Sequence, residues 1–315
     1  MPQFLLKRFL TLLATLFATS VIVFLVLEIL PGDPALMLLG VDATDEQLAA
    51  LREELGLNRP AFTRYLAWTI GLLQGDFGMS YSYKVPVSGL IVERLYLTYP
   101  LALNAMAITM LLALSLGIFA ASRHNKLGDV LVMSLSQIGI SIPSFWFGIL
   151  LVLLFAVHLG WFSAGGFAGW GNPAAGYKSL LLPSLSLAVV QAAILTRITR
   201  SAVLEVLRED FVRTARAKGL SRGAILWGHV LRNAMIPVIT VAGLLFGALL
   251  TGAIVVEQVF SLPGLGRLVF QAISNRDIEV VKAVVILLAF TVVMVNFFVD
   301  LLYAAIDPRL KAADV

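Results

Sequence analysis

Six long stretches of this chain carry no acidic or basic side chain: 9–27, 95–122, a portion of 130–177, 179–196, 233–256 and 283–299. No other feature restricts the fold so severely. A helix of about 20 apolar residues spans the hydrocarbon layer of a bilayer. Within that layer, helices satisfy every backbone N–H and C=O internally, as irregular chain cannot. Hydrophobic residues make up 59% of the chain and charged residues 13%, about half the charged share of an ordinary soluble domain. The pattern predicts an all-α polytopic membrane protein with six transmembrane helices. The first run follows Lys7-Arg8 as a secretory leader would, but it is too long for a leader core and no small-residue cleavage site follows, so it counts as a span. Region 130–177 has room for two crossings. Its second half, GWFSAGGFAGWGNPAAGY, is glycine-rich and interrupted by Pro173, which predicts an exposed loop.

Six spans put both termini on one side of the membrane. Of the 23 lysines and arginines, fourteen fall on that side, among them Lys7, Arg8, Arg123, Lys126, Arg309 and Lys311, and nine lie opposite, mostly in one long loop. The asymmetry predicts cytoplasmic termini. The long loop, 31–94, has structure of its own. Thr44-Asp45-Glu46-Gln47 is a capping box that opens a helix carrying Leu48, Leu51 and Leu55 and closed by Gly56. Pro60 can start a second helix with Phe62, Tyr65, Leu66, Ile70 and Leu73, ending before Gly75. The expected division is therefore 1–94, a first span plus a small external helical subdomain, then 95–306, the membrane core, then the tail 307–315.

Within the spans, Pro100 is expected in the first turns of span two, where it costs little. Pro143 falls well inside span three and frees a carbonyl near Gly139, which predicts a kink. Gly243 and Gly247 form a GxxxG that lets another helix approach closely. Arg197 and Arg200 are expected to snorkel to the headgroups, Glu28 to sit at the interface, and Asp300 to pair with a nearby arginine.

The one long charged segment is 203–237, VLEVLREDFVRTARAKGLSRGAILWGHVLRNAMIP. Helical spacing puts Leu204, Leu207, Phe211 and Ala215 on one face, with Glu205, Arg208, Glu209, Arg213 and Arg216 around the rest. Glu209 and Arg213 form an i,i+4 pair. Gly219, after Arg216 and Lys218, reads as a helix end, and Ser221 can cap a second short helix bearing Ile225, Leu226 and Leu231. A merely solvated loop needs no apolar stripe, so these residues pack against the rest of the chain or against a partner.

Here the residues resemble a family. ARAKGLSRGAILWGHVLRNAMIP is similar to the EAA coupling loop of membrane subunits of binding-protein-dependent ABC importers, in the peptide and nickel branch. Ala215 and Gly219 match the general pattern. Arg213 and Thr214 stand where Glu and Ala are usual, and Leu231-Arg232 where Leu-Pro is usual, departures that the branch itself shows, with a proline, here Pro237, a few residues later. PGDP at 31–34, LGLNRP at 55–60, GDFGMSY at 75–81, SIPSFWFG at 141–148, FSLPGLGRLVFQAISNRD at 260–277 and YAAIDPR at 303–309 are similar to other signatures of that branch. The resemblance implies a type I importer permease fold and a pore made with a second, related permease. It also implies two cytoplasmic ATPase subunits, which bind ATP and Mg, and an external solute-binding protein near 31–94. On this chain it implies a coupling loop at 203–232 that meets an ATPase through Leu207, Phe211, Arg213, Thr214, Ala215, Gly219, Leu220 and His229. The implied cargo is small peptides, with nickel or its chelate as the alternative. A stand-alone channel or ion-coupled carrier is the reading from another class, and the ionisable midplane residues it needs are nearly missing.

Other chemistry has no foothold in the sequence. There is no GxxxxGK[ST], no HExxH and no GxSxG in a triad setting. His124, His158 and His229 belong to three different places in the topology, and there is no cysteine. The net charge of +4 is too small to argue for nucleic acid. The expectation is a transport subunit with no catalytic residue, metal or cofactor of its own, embedded in a lipid bilayer.

Overall fold

The apolar stretches are helices in the computed structural model, which describes residues 2–29, 34–40 and 42–306. Signature residues 31–33 and the tail 307–315, including Arg309 and Lys311, lie outside the described residues. In chain order the helices are α1 (Pro2–Ile29), α2 (Pro34–Leu39), α3 (Asp45–Glu54), α4 (Ala61–Gln74), α5 (Val87–Ser122), α6 (Leu127–Ser141) and α7 (Ser144–Leu151, continuing as a π-helix through Val152–His158). They are followed by α8 (Pro173–Val206), α9 (Asp210–Ala217), α10 (Arg222–Ile225, with a π-turn over Leu226–Val230), α11 (Leu231–Val259), α12 (Leu265–Ser274) and α13 (Ile278–Ile306). Among the described residues five helices are long and apolar enough to cross a membrane: Leu5–Ile29, Val87–Ser122, Pro173–Val206, Arg222–Val259 and Ile278–Leu302.

The region expected to form span three is where the structure departs most from expectation. Pro143 does more than kink it: α6 and α7 meet at 101°. Proline removes the amide that would hold the Gly139 carbonyl, and it drives the preceding residue out of the helical region. Ile142 is accordingly extended, with φ −92° and ψ 123°.

Pro100 is also placed differently. Helix α5 starts at Val87 and runs through the expected division at 94, so the proline lies well inside it. The carbonyl it orphans, that of Tyr96, accepts a hydrogen bond of 2.7 Å from Trp170 Nε1. The glycine-rich loop is thus partly anchored. Phe162, Phe167 and Trp170 pack onto the core, and Asn172 caps α8 with Pro173 in its first turn.

Helix α8 is the axis of the molecule, packed against α5, α6, α7 and α11. One core near its C-terminal end gathers Leu195, Val203, Val230 and Val238, and another toward its N-terminal end gathers Leu101, Leu180, Leu249 and Phe260. Small residues set the spacing, as they must where lipid is as apolar as leucine. A Cβ at Gly117 would collide with Thr199, and Cβ atoms at Gly243 and Gly247 would press on Val299 and Val292 of α13.

At the end opposite the basic loop, the capping box at Thr44 is formed and Gly75 closes α4 at φ 78°. Glu28 pairs with Arg64. Asp277, fully buried, accepts from Ser80 Oγ at 2.5 Å and from the Ser82 amide at 2.9 Å, tying segment 75–86 to the start of α13. Tyr81 donates to Glu279 at 3.2 Å, and burial together with that carboxylate pushes its phenol pKa up. At the basic end, Arg8 pairs with Asp300 at 3.2 Å.

Candidate docking interface

The segment 203–237 is not one amphipathic helix followed by another. Helix α8 stops at Val206, the chain turns through Leu207-Arg208-Glu209, and α9 starts afresh with Glu209 extended at φ −65° and ψ 149°. Leu204 and Leu207 therefore belong to the end of α8, and Phe211 and Ala215 to α9. Arg213 pairs with Asp210 at 3.2 Å in place of Glu209. Thr214 Oγ1 donates to the Asp210 carbonyl at 3.1 Å.

Gly219 adopts φ +82° with nothing within 4 Å of where a Cβ would sit, so the position demands the conformation and not the space. Its amide donates to the Arg216 carbonyl at 2.9 Å and the Leu220 amide to that of Ala215 at 3.3 Å, closing α9. Ser221 then accepts from the Ala224 amide at 3.3 Å and opens α10, which runs through the π-turn into α11.

The resulting elbow has two unlike faces. Val212, Ala215, Ile225 and Val230 are buried in the core near the end of α8. Phe211 and Leu220 are 41% and 42% exposed, and Trp227 is 65% exposed, among exposed Arg213, Arg216, Lys218 and Arg222. Of the residues expected to form the contact, Phe211, Arg213, Thr214, Leu220 and His229 are exposed, Leu207 packs at the core's edge, and Ala215 turns inward onto the chain itself. Trp227 was not foreseen; an indole in a polar segment was the available signal.

The base of the elbow is clamped. Arg200 does not snorkel: its Nε and Nη2 donate to the Asp129 carboxylate at 2.5 and 2.7 Å, and the Asn125 amide donates to the same carboxylate at 3.0 Å. His124 Nδ1 lies 3.1 Å from Arg200 Nη2, and Arg197 donates to Gln137 at 3.2 Å. Asp129 is buried. This bidentate pair joins α8, just before the elbow, to the first turn of α6.

At the other end of α11, the fully buried Glu257 caps α12. Its carboxylate accepts from the Gly266 amide at 2.7 Å, the Arg267 amide at 3.2 Å and Thr98 Oγ1 at 2.7 Å, while Thr98 Oγ1 accepts from the Leu265 amide at 2.9 Å. The PGLG signature has a steric meaning here. A Cβ at Gly264 would strike the Glu257 carboxylate, and one at Gly266 the Cα of Ile254. Among the described residues no three His, Cys, Asp or Glu side chains converge as metal ligands.

This architecture, a bundle of spans built on one central helix with a two-faced elbow at its end, has known counterparts. Residues 113–312 match the family of binding-protein-dependent transport system inner membrane components, and residues 1–102 match the N-terminal region of such components. The chain belongs to that family, and within it to the ABC importer permeases of the peptide branch. It is 42% identical over 312 residues, 99% of both chains, to a putative peptide transport system permease protein of Brucella abortus (strain 2308). It is 41% identical over 311 residues, again 99% of both, to the glutathione transport system permease protein GsiC of Escherichia coli (strain K12). Among solved structures, the MetNI methionine ABC transporter in an inward-facing conformation matches with a TM-score of 0.57 at 18% identity, over 69% of this chain and 96% of that one. That likeness shows the fold, the type I importer permease fold.

Proposed function

We propose that the chain is one permease subunit of an ATP-driven importer of short peptides, coupled to ATPase subunits through residues 203–232. The observation that carries this reading is the two-faced elbow. Val212, Ala215 and Ile225 fix it to the core, while Phe211, Leu220 and Trp227 stand outward on a basic surface. Large apolar side chains in that setting act as anchors in a partner's pocket. The elbow joins α8 to α11 directly, so a partner gripping it moves two spans as a body, the hinge-and-shear motion that exposes a central path alternately to each side. ATP and Mg belong to the ATPase partners. The basic end faces the cytoplasm, in keeping with its excess of lysine and arginine. The opposite end, with the subdomain before α5, receives an external solute-binding protein. A second, related permease completes the pore. Relatives named for peptide and glutathione transport support peptides as cargo, with nickel or its chelate as the alternative.

The reading is tested in proteoliposomes. The chain alone is expected to move no peptide, whereas the assembly with second permease, ATPases and binding protein takes it up only with ATP. Phe211→Asp or Leu220→Asp should insert normally yet lower uptake and peptide-stimulated ATP hydrolysis at least about tenfold, the effect of removing roughly 1.4 kcal/mol from an interface. Undiminished uptake by both variants, or transport by the chain alone, refutes the assignment.

A further inference from the structure

Helix α4 has no buried residue and leaves a row of large apolar side chains uncovered by the rest of the chain, unlike a helix docked in water. Thr63, Ala67 and Gly71 line a cavity of about 540 Å³ whose other walls include Arg59, Asp76, Glu279 and Lys282. Phe62, Leu66, Ile70 and Leu73, spaced four, four and three residues apart, share the outer face. They are all exposed, Phe62 at 71% and Leu73 at 84%.

The depth of the helix is fixed by α1. Tyr65 Oη lies 2.8 Å from Ser20 Oγ, and Phe24 meets the rings of Tyr65 and Trp68 at 5.4 and 5.9 Å. Ser20 and Phe24 are both inside the membrane-spanning segment Leu5–Ile29. Ser20 is roughly 13 Å along the helix from Ile29, at 1.5 Å per residue. No charged side chain occurs between Arg64, which pairs with Glu28 at the outer end of α1, and Asp76. On another side of α1, Ile22, Leu25, Val26 and Ile29 are likewise exposed and apolar.

From this we infer that α4 lies at the boundary of headgroups and acyl chains, in the leaflet opposite the basic elbow. Its outer face meets lipid, and it is not part of a water-exposed cap. The lipid is indicated by depth: Tyr65 and Trp68 hold α4 against Ser20 and Phe24, inside the apolar segment of α1 that crosses the bilayer, so the uncovered face lies at the level of acyl chains. Tyr65 and Trp68 sit where aromatic side chains anchor membrane proteins at the interface. An interfacial helix of this kind buries its apolar face about 5–10 Å below the headgroups.

The chain has no cysteine, so single labels can be placed directly. Leu66→Cys, Ile70→Cys and Leu73→Cys, spin-labelled in the complete transporter in lipid nanodiscs, are read by their collision rates with oxygen, which partitions into acyl chains, and with a water-soluble nickel chelate. Ala50→Cys on the exposed face of α3 is the aqueous control. Oxygen should dominate at the three α4 positions and the chelate at the control. Dominance of the chelate on α4 would place the helix in water, and shielding from both reagents would place it against a second protein chain; either result overturns the proposal. Three independent labels keep the test decisive if one variant fails to assemble.

Discussion

Gly266 and Asp129 show how a single residue can hold an element in place in this membrane protein. The Cβ missing at Gly266 would meet backbone, the Cα of Ile254, which no rotamer change can relieve. Gly266→Ala should therefore destabilise the docking of α12 by about 1–3 kcal/mol, in the range of overpacked cores, seen as a lower thermal midpoint in detergent. Asp129→Asn leaves Arg200 half paired and should lower stability by about 1–3 kcal/mol, less than for a fully buried ion pair because Arg200 is only partly buried; an unchanged midpoint would show the pair to be ornamental. Neither role was legible beforehand. Arg200 and Asp129 are 71 positions apart, and nothing local told snorkelling from pairing. Glu257 could have been suspected, because an acidic residue at the end of an apolar run, followed by PGLG, is a carboxylate close to a helix N-terminus.

Elements were legible wherever a residue speaks through its own backbone. Thr44, Gly75, Gly219 and Ser221 cap as their chemistry dictates, and Pro143 interrupts its span, though with a sharper bend than a kink. The break between α8 and α9 was not legible, because Leu207, Arg208 and Glu209 include no glycine or proline. The chain turns there to bring Val212 and Ala215 onto the core, so tertiary burial overrides local propensity. The anchoring of Pro100 by Trp170 was hidden for a similar reason, since the donor comes from a loop 74 positions away. Trp170→Phe should cost about 1–3 kcal/mol by leaving the Tyr96 carbonyl unpaired. In a Pro100→Ala background, where the alanine amide can serve that carbonyl within the helix, the same substitution should cost clearly less. A double-mutant cycle of thermal midpoints reads the difference, and strict additivity would show that the indole plays no such part.

For the whole molecule, the six-span plan followed from apolar run length, and the elbow from its charge and its glycine turn. What the chain could not reveal by pattern alone was which elbow residues face inward. Ala215, matched to the family's loop, lies against the core, whereas Phe211, Leu220 and Trp227 face outward. On the proposed function, the force of ATP hydrolysis acts on those three side chains and passes through α8 and α11. The decisive comparison is a photoreactive amino acid at Phe211 against one at the inward-facing Val212, in membranes holding the intact transporter. Phe211 is expected to capture an ATPase subunit and Val212 to give only crosslinks within its own chain; failure of Phe211 to reach any nucleotide-hydrolysing subunit, in a transporter that still imports, would overturn the coupling role of the elbow.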